Sequence, residues 1–156
     1  MLSSNLAESS YSSFSGGGID NLASATFSLE DGSSNGDNIN ASGGTYIAYC
    51  FHSVEGYSKV GSYVGNGSTD GPFVHTGFRP AWIMQKKSNN TGHWHIWDST
   101  RNTSNEVTRY LLANETNAEY TDGGLDILSN GFKPRKTGTG LNASGDTYIY
   151  LAFADQ

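Results

Sequence analysis

Hydrophobic and polar residues alternate in short segments along most of the chain, and clusters of Gly, Asn, Ser and Asp separate these segments. Alternation with a period of two is typical of β-strands that bury one face. The pattern predicts nine strands: Ala25–Leu29, Thr45–His52, Ser58–Val64, Phe73–Thr76, Ala81–Lys86, His93–Asp98, Val107–Leu112, Gly131–Arg135 and Thr147–Ala154. Residues 105–118 are the one segment for which a helix is an alternative, because they are poor in Gly. Their β-prone beginning favours a strand followed by a loop. Such spacing predicts an all-β protein, an antiparallel β-sandwich of jelly-roll or lectin-like type.

The end of the chain repeats part of its first third. Residues 40–51 and 142–153 are identical at eight of twelve positions. This partial internal repeat predicts a Ser/Gly-rich arm at 1–18, the closing half of a preceding repeat at 19–51, and a complete β-sandwich unit at 52–156. Residues 19–51 are expected to pack on the main domain, because so short a segment buries too little surface alone. Tandem β units are typical of modular surface or assembly proteins.

The alternation within the repeat assigns side chains to the two faces of its strands. One face of the first copy carries Ile47, Tyr49 and Phe51. The matching face of the second copy carries Ile149, Leu151 and Phe153. We expect both faces to lie in the core. The two repeated Tyr residues then lie on the other face, where a partner can cover them. Two Trp residues are expected to pack in the core or at an interface. The residues predicted to carry the fold are Tyr46, Ile47, Phe51, Tyr148, Ile149, Phe153, Trp82 and Trp94.

Charge and composition narrow the function classes. The net charge is −6, and no Lys or Arg precedes Lys59. Nucleic-acid binding is therefore disfavoured, because phosphate contact needs clustered cations. The acidic first third either keeps the chain soluble or meets the basic part of a neighbouring subunit. The sequence has no run of 18 apolar residues, which disfavours a membrane partner, and its single Cys50, expected to be buried, excludes an internal disulfide.

An aromatic surface is the first candidate binding site. Tyr57, His95, Trp97 and Arg101 carry the flat rings and polar groups that a sugar-stacking face needs. Trp94 and Trp97 differ by three positions, so on a regular strand they face opposite ways and at most one belongs to such a face. Core or interface packing of these rings is the alternative.

Two groups of residues resemble metal ligands. Asp31, Asn35 and Asp37 lie in an oxygen-rich loop of the kind that binds calcium, although the loop lacks the closing bidentate Glu of the helix-loop-helix pattern and also fits a solvated turn. His93 and His95 share one strand face, as zinc ligands can, but no further ligand is readable. The sequence predicts no cofactor, and it leaves calcium open as a ligand of the oxygen-rich loop.

No catalytic motif is present in the sequence. It contains no Gly-x-Ser-x-Gly elbow, no His-Glu-x-x-His helix and no phosphate-binding loop. We therefore predict that the chain is not an enzyme. A polysaccharide depolymerase would need two carboxylates at a defined separation, which sequence cannot show.

Several long motifs resemble a known domain family. They are Gly56–Met84, Trp94–Asn102, Leu128–Lys133 and Ala143–Phe153, and the resemblance covers residues 40–154. The family, of uncharacterised function, occurs in virion proteins of marine and cyanobacterial phages, often near the C-terminus of tail or fibre-like proteins. The resemblance implies a location in the virion, an extracellular particle, and no catalytic residues.

These observations predict a non-enzymatic phage virion structural protein, either a tail-fibre module or a capsid decoration protein, that acts in assembly, host-surface attachment or both. Its expected partners are other virion proteins and copies of itself, with a trimer favoured. A lectin-like carbohydrate-binding module with a cell-surface glycan as partner is the alternative, and a depolymerase is less favoured. No nucleic acid or membrane partner is expected.

Overall fold

A computed structural model describes residues 19–20, 26–29, 43–138 and 140–155 of the 156-residue chain. Contacts place the described residues up to Cys50 in one compact unit and those from Phe51 onward in another. The described part contains no helix, and so none that could cross a membrane. Its strands are β1 (Ile19–Asp20), β2 (Ser28–Leu29), β3 (Ser58–Val64), β4 (Val74–His75), β5 (Pro80–Lys87), β6 (His95–Asp98), β7 (Leu111–Leu112), β8 (Leu125–Leu128), β9 (Gly131–Pro134) and β10 (Thr147–Ala154).

The unit from residue 51 onward consists of two antiparallel sheets. One sheet has five strands in the order β3-β10-β5-β6-β7, and the other has three in the order β4-β9-β8. Aromatic side chains from both sheets meet between them, as Phe132 of β9 does with Tyr63 and Tyr150. The predicted all-β class with two packed antiparallel sheets is confirmed.

The unit up to residue 50 differs most from prediction. Its β1 and β2 form an antiparallel pair, but residues 43–50 form no strand, so the prediction of a strand at Thr45–His52 is wrong. Ile47 and Tyr49 are 78% and 80% exposed, and Cys50 is exposed as well. A strand needs neighbours for its backbone hydrogen bonds, and β10, the matching segment of the repeat, has β3 and β5 on its two sides.

The core between the sheets is rich in tyrosine. Tyr63 stacks on Tyr148 with ring centroids 5.1 Å apart, and Phe132 meets Tyr63 edge-on at 5.9 Å. The Tyr63 hydroxyl lies 2.7 Å from the Leu141 carbonyl and 2.9 Å from Gln85 Oε1. Burial raises the pKa of Tyr63 well above its ordinary value. These hydrogen bonds allow the hydroxyl to be buried, because a buried polar group without a partner is costly.

The two faces of β10 are the reverse of the prediction. Tyr148 and Tyr150 are buried in the core, whereas Ile149 is 39% exposed and Phe153 is half-buried. Both alternating sets of β10 are apolar, so hydrophobicity alone does not choose between them. The Tyr148 hydroxyl accepts a hydrogen bond from the Ala143 N–H at 2.9 Å, which satisfies it inside the core.

Three of the remaining residues predicted to be structural are less buried than expected. Phe51 is exposed, and Trp82 and Trp94 are half-buried. Tyr46 is exposed, which agrees with its predicted position on the face away from the core. Trp97 is instead the tryptophan that is fully buried. The large rings of the core therefore come from other positions, such as Tyr63 and Phe132.

The side of the five-stranded sheet that faces away from the core carries an apolar patch, bordered by Ser62 and Lys86, which lie opposite Ile149. In the strand register Leu151 lies between Val60 and Met84, and Phe153 lies opposite Trp82. Residues directly opposite each other project to the same side of a sheet. We call this surface the outer face, and it comprises Val60, Trp82, Met84, Ile149, Leu151 and Phe153.

Candidate functional site

A small cleft of about 150 Å³ opens beside β6, on the core side of the five-stranded sheet. His95 and Trp97 alternate with half-buried neighbours on this strand, so both project inward and are buried. We call the site the ring cleft, and its main residues are His95, Trp97, Tyr110, Asp122, Gly123 and Lys136.

Aromatic rings form one side of the ring cleft. The His95 and Trp97 rings are nearly parallel, at 9°, with centroids 6.2 Å apart. Tyr110 lies 4.9 Å from Trp97, and Tyr120 stacks on Tyr110 at 5.0 Å. Backbone hydrogen bonds of 3.0 and 3.1 Å join Tyr110 and Tyr120 and hold this end of the row in place. The four rings therefore form a continuous row. Strand β6 holds His95 and Trp97, and the β-bridge between Tyr110 and Tyr120 holds the other two rings.

Two glycines allow the backbone to approach these rings. A Cβ atom on Gly123 would lie 2.5 Å from Trp97 Cζ3 and 2.7 Å from the Thr108 carbonyl oxygen. A Cβ atom on Gly140 would lie 2.7 Å from His95 Nε2. Any larger residue at these positions would collide with a ring. The glycines therefore set the shape of the ring cleft.

Polar groups lie at the mouth of the ring cleft. The Tyr110 hydroxyl donates to Asp122 Oδ1 at 3.3 Å, and Lys136 Nζ donates to the Asp122 carbonyl. Burial, with a smaller effect of the Asp122 charge, raises the pKa of Tyr110 to about 12. Tyr110 is therefore a neutral hydrogen-bond donor at physiological pH, and Asp122 and Lys136 place opposite charges at the rim.

His95 and Trp97 bring two further polar atoms to the ring cleft. Burial lowers the pKa of His95 to about 4, so its imidazole is neutral near pH 7. Its Nδ1 lies 3.2 Å from the His93 carbonyl and donates to it, which leaves Nε2 as an acceptor. Among the described residues, neither His95 Nε2 nor the buried Trp97 Nε1–H has a hydrogen-bond partner. The cleft thus offers an acceptor beside its aromatic side, whereas the Trp97 N–H is enclosed by the protein.

The structure separates the four residues predicted to form an aromatic binding surface. His95 and Trp97 line the ring cleft together. Tyr57 instead lies near the outer face, with its ring centroid 5.8 Å from that of Phe153. Arg101 lies in the turn after β6. Two of the four therefore belong to one site, and the other two lie elsewhere.

Arg101 belongs to a network of ion pairs. Its guanidinium pairs with Asp98 and with Glu119, which also pairs with Arg109. The hydrogen bonds to Glu119 and then to Asp98 raise the pKa of Arg101, and Arg101 in turn lowers the pKa of Glu119. Asp98 Oδ1 also accepts from the backbone N–H groups of Thr100 and Arg101. An ion pair between Arg101 and Asp98 therefore spans this turn, and the guanidinium serves the turn.

The described residues contain no group of three or more His, Cys, Asp and Glu side chains that could hold a metal ion. His93 Nδ1 lies 3.2 Å from Glu115, while His95 is buried in the ring cleft. The predicted calcium residues Asp31, Asn35 and Asp37 lie outside the described residues.

Sequence analysis missed two polar residues of the ring cleft, namely Asp122 and Lys136. They lie outside the regular strands, and the fold brings them to β6 from distant parts of the chain. The one local signal was the Gly123-Gly124 pair directly after Asp122, since paired glycines often permit a close backbone approach.

Fold and cleft together define a small all-β sandwich protein that carries a compact aromatic and polar cleft. The chain belongs to a family described as a domain of unknown function, DUF7483, whose model matches residues 1–156. No curated protein and no solved structure matches the chain significantly.

Proposed function

We propose that this chain is a non-enzymatic structural module of a phage virion, either a tail-fibre module or a capsid decoration protein, which associates with copies of itself through the outer face. The virion setting is supported by the sequence motifs at 56–84 and 143–153. The absence of a catalytic motif from the sequence supports the non-enzymatic part. The module serves particle assembly, host-surface attachment or both.

The outer face is the observation that carries this proposal. Its apolar residues continue across three adjacent strands, and Val60 and Ile149 remain 43% and 39% exposed. Contiguous exposed apolar surface is typical of protein–protein contact. Burial of such surface yields about 25 cal/mol per Å². Contact with another protein would therefore stabilise this face.

A second copy of the chain is the partner that this face fits best. Six of the nine cations, Lys87 and Arg109 among them, pair with carboxylates of the same unit. Apolar burial therefore explains the contact better than attraction between the acidic first third and a neighbour's cations. Apolar contact is not directional, so the patches of three copies can meet around a three-fold axis and close the trimer that the sequence favours.

Electron microscopy of virus particles tests the proposal. Particles made with the wild-type chain, without it, and with Ile149→Glu should be compared. Phe73→Glu serves as the control, because Phe73 is another exposed aromatic residue but lies beside β4 in the three-stranded sheet. We expect extra density with the wild type and Phe73→Glu but none with Ile149→Glu. Identical particles with and without the chain would refute the virion role.

A further inference from the structure

We propose that the ring cleft binds one uncharged sugar ring, as found at the end of a cell-surface glycan. The inference does not depend on assembly, because His95 and Trp97 project to the core side of the five-stranded sheet and the outer face lies on the other side. Failure of one proposal therefore leaves the other intact.

The aromatic side of the ring cleft suits the apolar face of a sugar. The C–H groups on one face of a pyranose carry partial positive charge, and the faces of aromatic rings are negative. Tyr110, which is partly exposed, supplies such a ring at the site, and the buried Trp97 and His95 rings support it at 4.9 and 5.3 Å. The volume of about 150 Å³ is smaller than the roughly 300–1,000 Å³ of pockets for drug-sized ligands. The site therefore has room for a single ring rather than an extended chain.

The polar groups of the ring cleft match hydroxyl groups, which both donate and accept hydrogen bonds. Asp122 and His95 Nε2 supply acceptors. Lys136 Nζ keeps donors beyond the one it gives to the Asp122 carbonyl, so it can also donate to a ligand oxygen. Neighbouring hydroxyls of a sugar present this mixture at close spacing.

The charges at the rim favour an uncharged ligand. Asp122 is negative and Lys136 positive, and the two lie at the same mouth. A charged sugar would meet one attractive and one repulsive group there, so its charge would gain little to offset the loss of its hydration. A neutral sugar avoids that loss.

The test is a nuclear magnetic resonance titration of the ¹⁵N-labelled full chain. The probes are the methyl glycosides of glucose, galactose, mannose and N-acetylglucosamine, with glucuronic acid and glucosamine as charged comparisons. The chain has three Trp residues, each with one indole N–H resonance. Trp82→Phe and Trp94→Phe each remove one of these resonances and so identify the one from Trp97.

We expect at least one neutral glycoside to shift the Trp97 indole resonance. Asp122→Asn should weaken that binding at least about tenfold, a typical effect of losing a hydrogen bond to a charged group. Asp155→Asn is the matched control, because Asp155 is exposed and pairs with Arg79 away from the cleft. Binding by none of the neutral glycosides, preferred binding of a charged sugar, or a shift confined to Trp82 or Trp94 would each overturn the inference.

Discussion

Acidification is expected to destabilise the unit from residue 51 onward through one buried side chain, His95. Burial lowers its pKa from the ordinary 6.5 to about 4, so the folded protein keeps the ring neutral while the unfolded chain takes up a proton. Its stabilising contribution is complete above pH 6.5 and is lost as the pH falls towards 4. At about 1.36 kcal/mol per pKa unit, the full effect is about 3 kcal/mol. About 2 kcal/mol of it falls between about pH 7 and pH 5.

Other titrating groups near this range can be separated from His95. Lys133 holds the pKa of Asp70 below its ordinary value, and Arg101 does the same for Glu119. These carboxylates therefore take up protons below pH 5. The two carboxylates therefore do not account for a change between pH 7 and pH 5, and a substitution distinguishes His95 from the other three histidines.

Urea unfolding at pH 7 and pH 5 measures the effect. In His95→Asn the side-chain amide can donate to the His93 carbonyl, as Nδ1 does, but it takes up no proton. His75→Asn is the control, because His75 is exposed. Between about pH 7 and pH 5, we expect the free energy of unfolding of the wild type and of His75→Asn to fall by about 2 kcal/mol more than that of His95→Asn. An unchanged pH dependence in His95→Asn would refute the reasoning.

Two further predictions concern the core. Tyr63→Phe removes a hydroxyl that forms a hydrogen bond inside the core, and it should lower the free energy of unfolding by about 1–3 kcal/mol. The Tyr150 hydroxyl has no such partner among the described residues, so Tyr150→Phe should change stability by less than about 0.5 kcal/mol. Equal losses in thermal melts would contradict this. Gly131→Ala would place a Cβ atom 2.1 Å from the Val74 carbonyl oxygen, so it should separate β4 from β9 and cost more than about 2 kcal/mol. Gly138→Ala meets no atom within 4 Å, so its melt should match the wild type, and similar melts for the two alanine variants would refute the packing argument.

Local pattern was sufficient for the strands that alternate over many residues. Ser58–Val64 and Thr147–Ala154 were predicted with the bounds that the structure has, because turn sequences flank each of them. β8, at Leu125–Leu128, was missed because four residues between Gly-rich turns carry little periodic signal.

Contacts between residues distant in sequence determined those features of the fold that the local hydrophobic pattern could not predict. Thr45–Phe51 and Thr147–Phe153 have similar sequences, yet only the second is a described strand, because strand formation depends on neighbours such as β3 and β5. The buried face of β10 was likewise undetermined, since tyrosines on one side and Ile149 with Phe153 on the other are both apolar. Its choice depends on hydroxyl partners supplied by distant loops. The packing of residues 19–51 on the main domain stays a prediction.

The ring cleft shows the same division. His95 and Trp97 could be selected from sequence because polar and aromatic side chains alternate on one strand. Tyr110, Asp122 and Lys136 join them only through folding, because they are 12 or more positions from His95 and from one another. Residue type therefore predicted part of the site, and topology supplied the rest.

Multi-angle light scattering of the purified full chain at micromolar concentration addresses self-association through the outer face. The chain mass is 16.7 kDa, and the trimer favoured by the sequence would give about 50 kDa. We expect that larger mass for the wild type and Phe73→Glu, and 16.7 kDa for Ile149→Glu, whose carboxylate would be buried in the contact. A wild-type mass of 16.7 kDa, or an Ile149→Glu variant that associates like the wild type, would contradict assembly through this face.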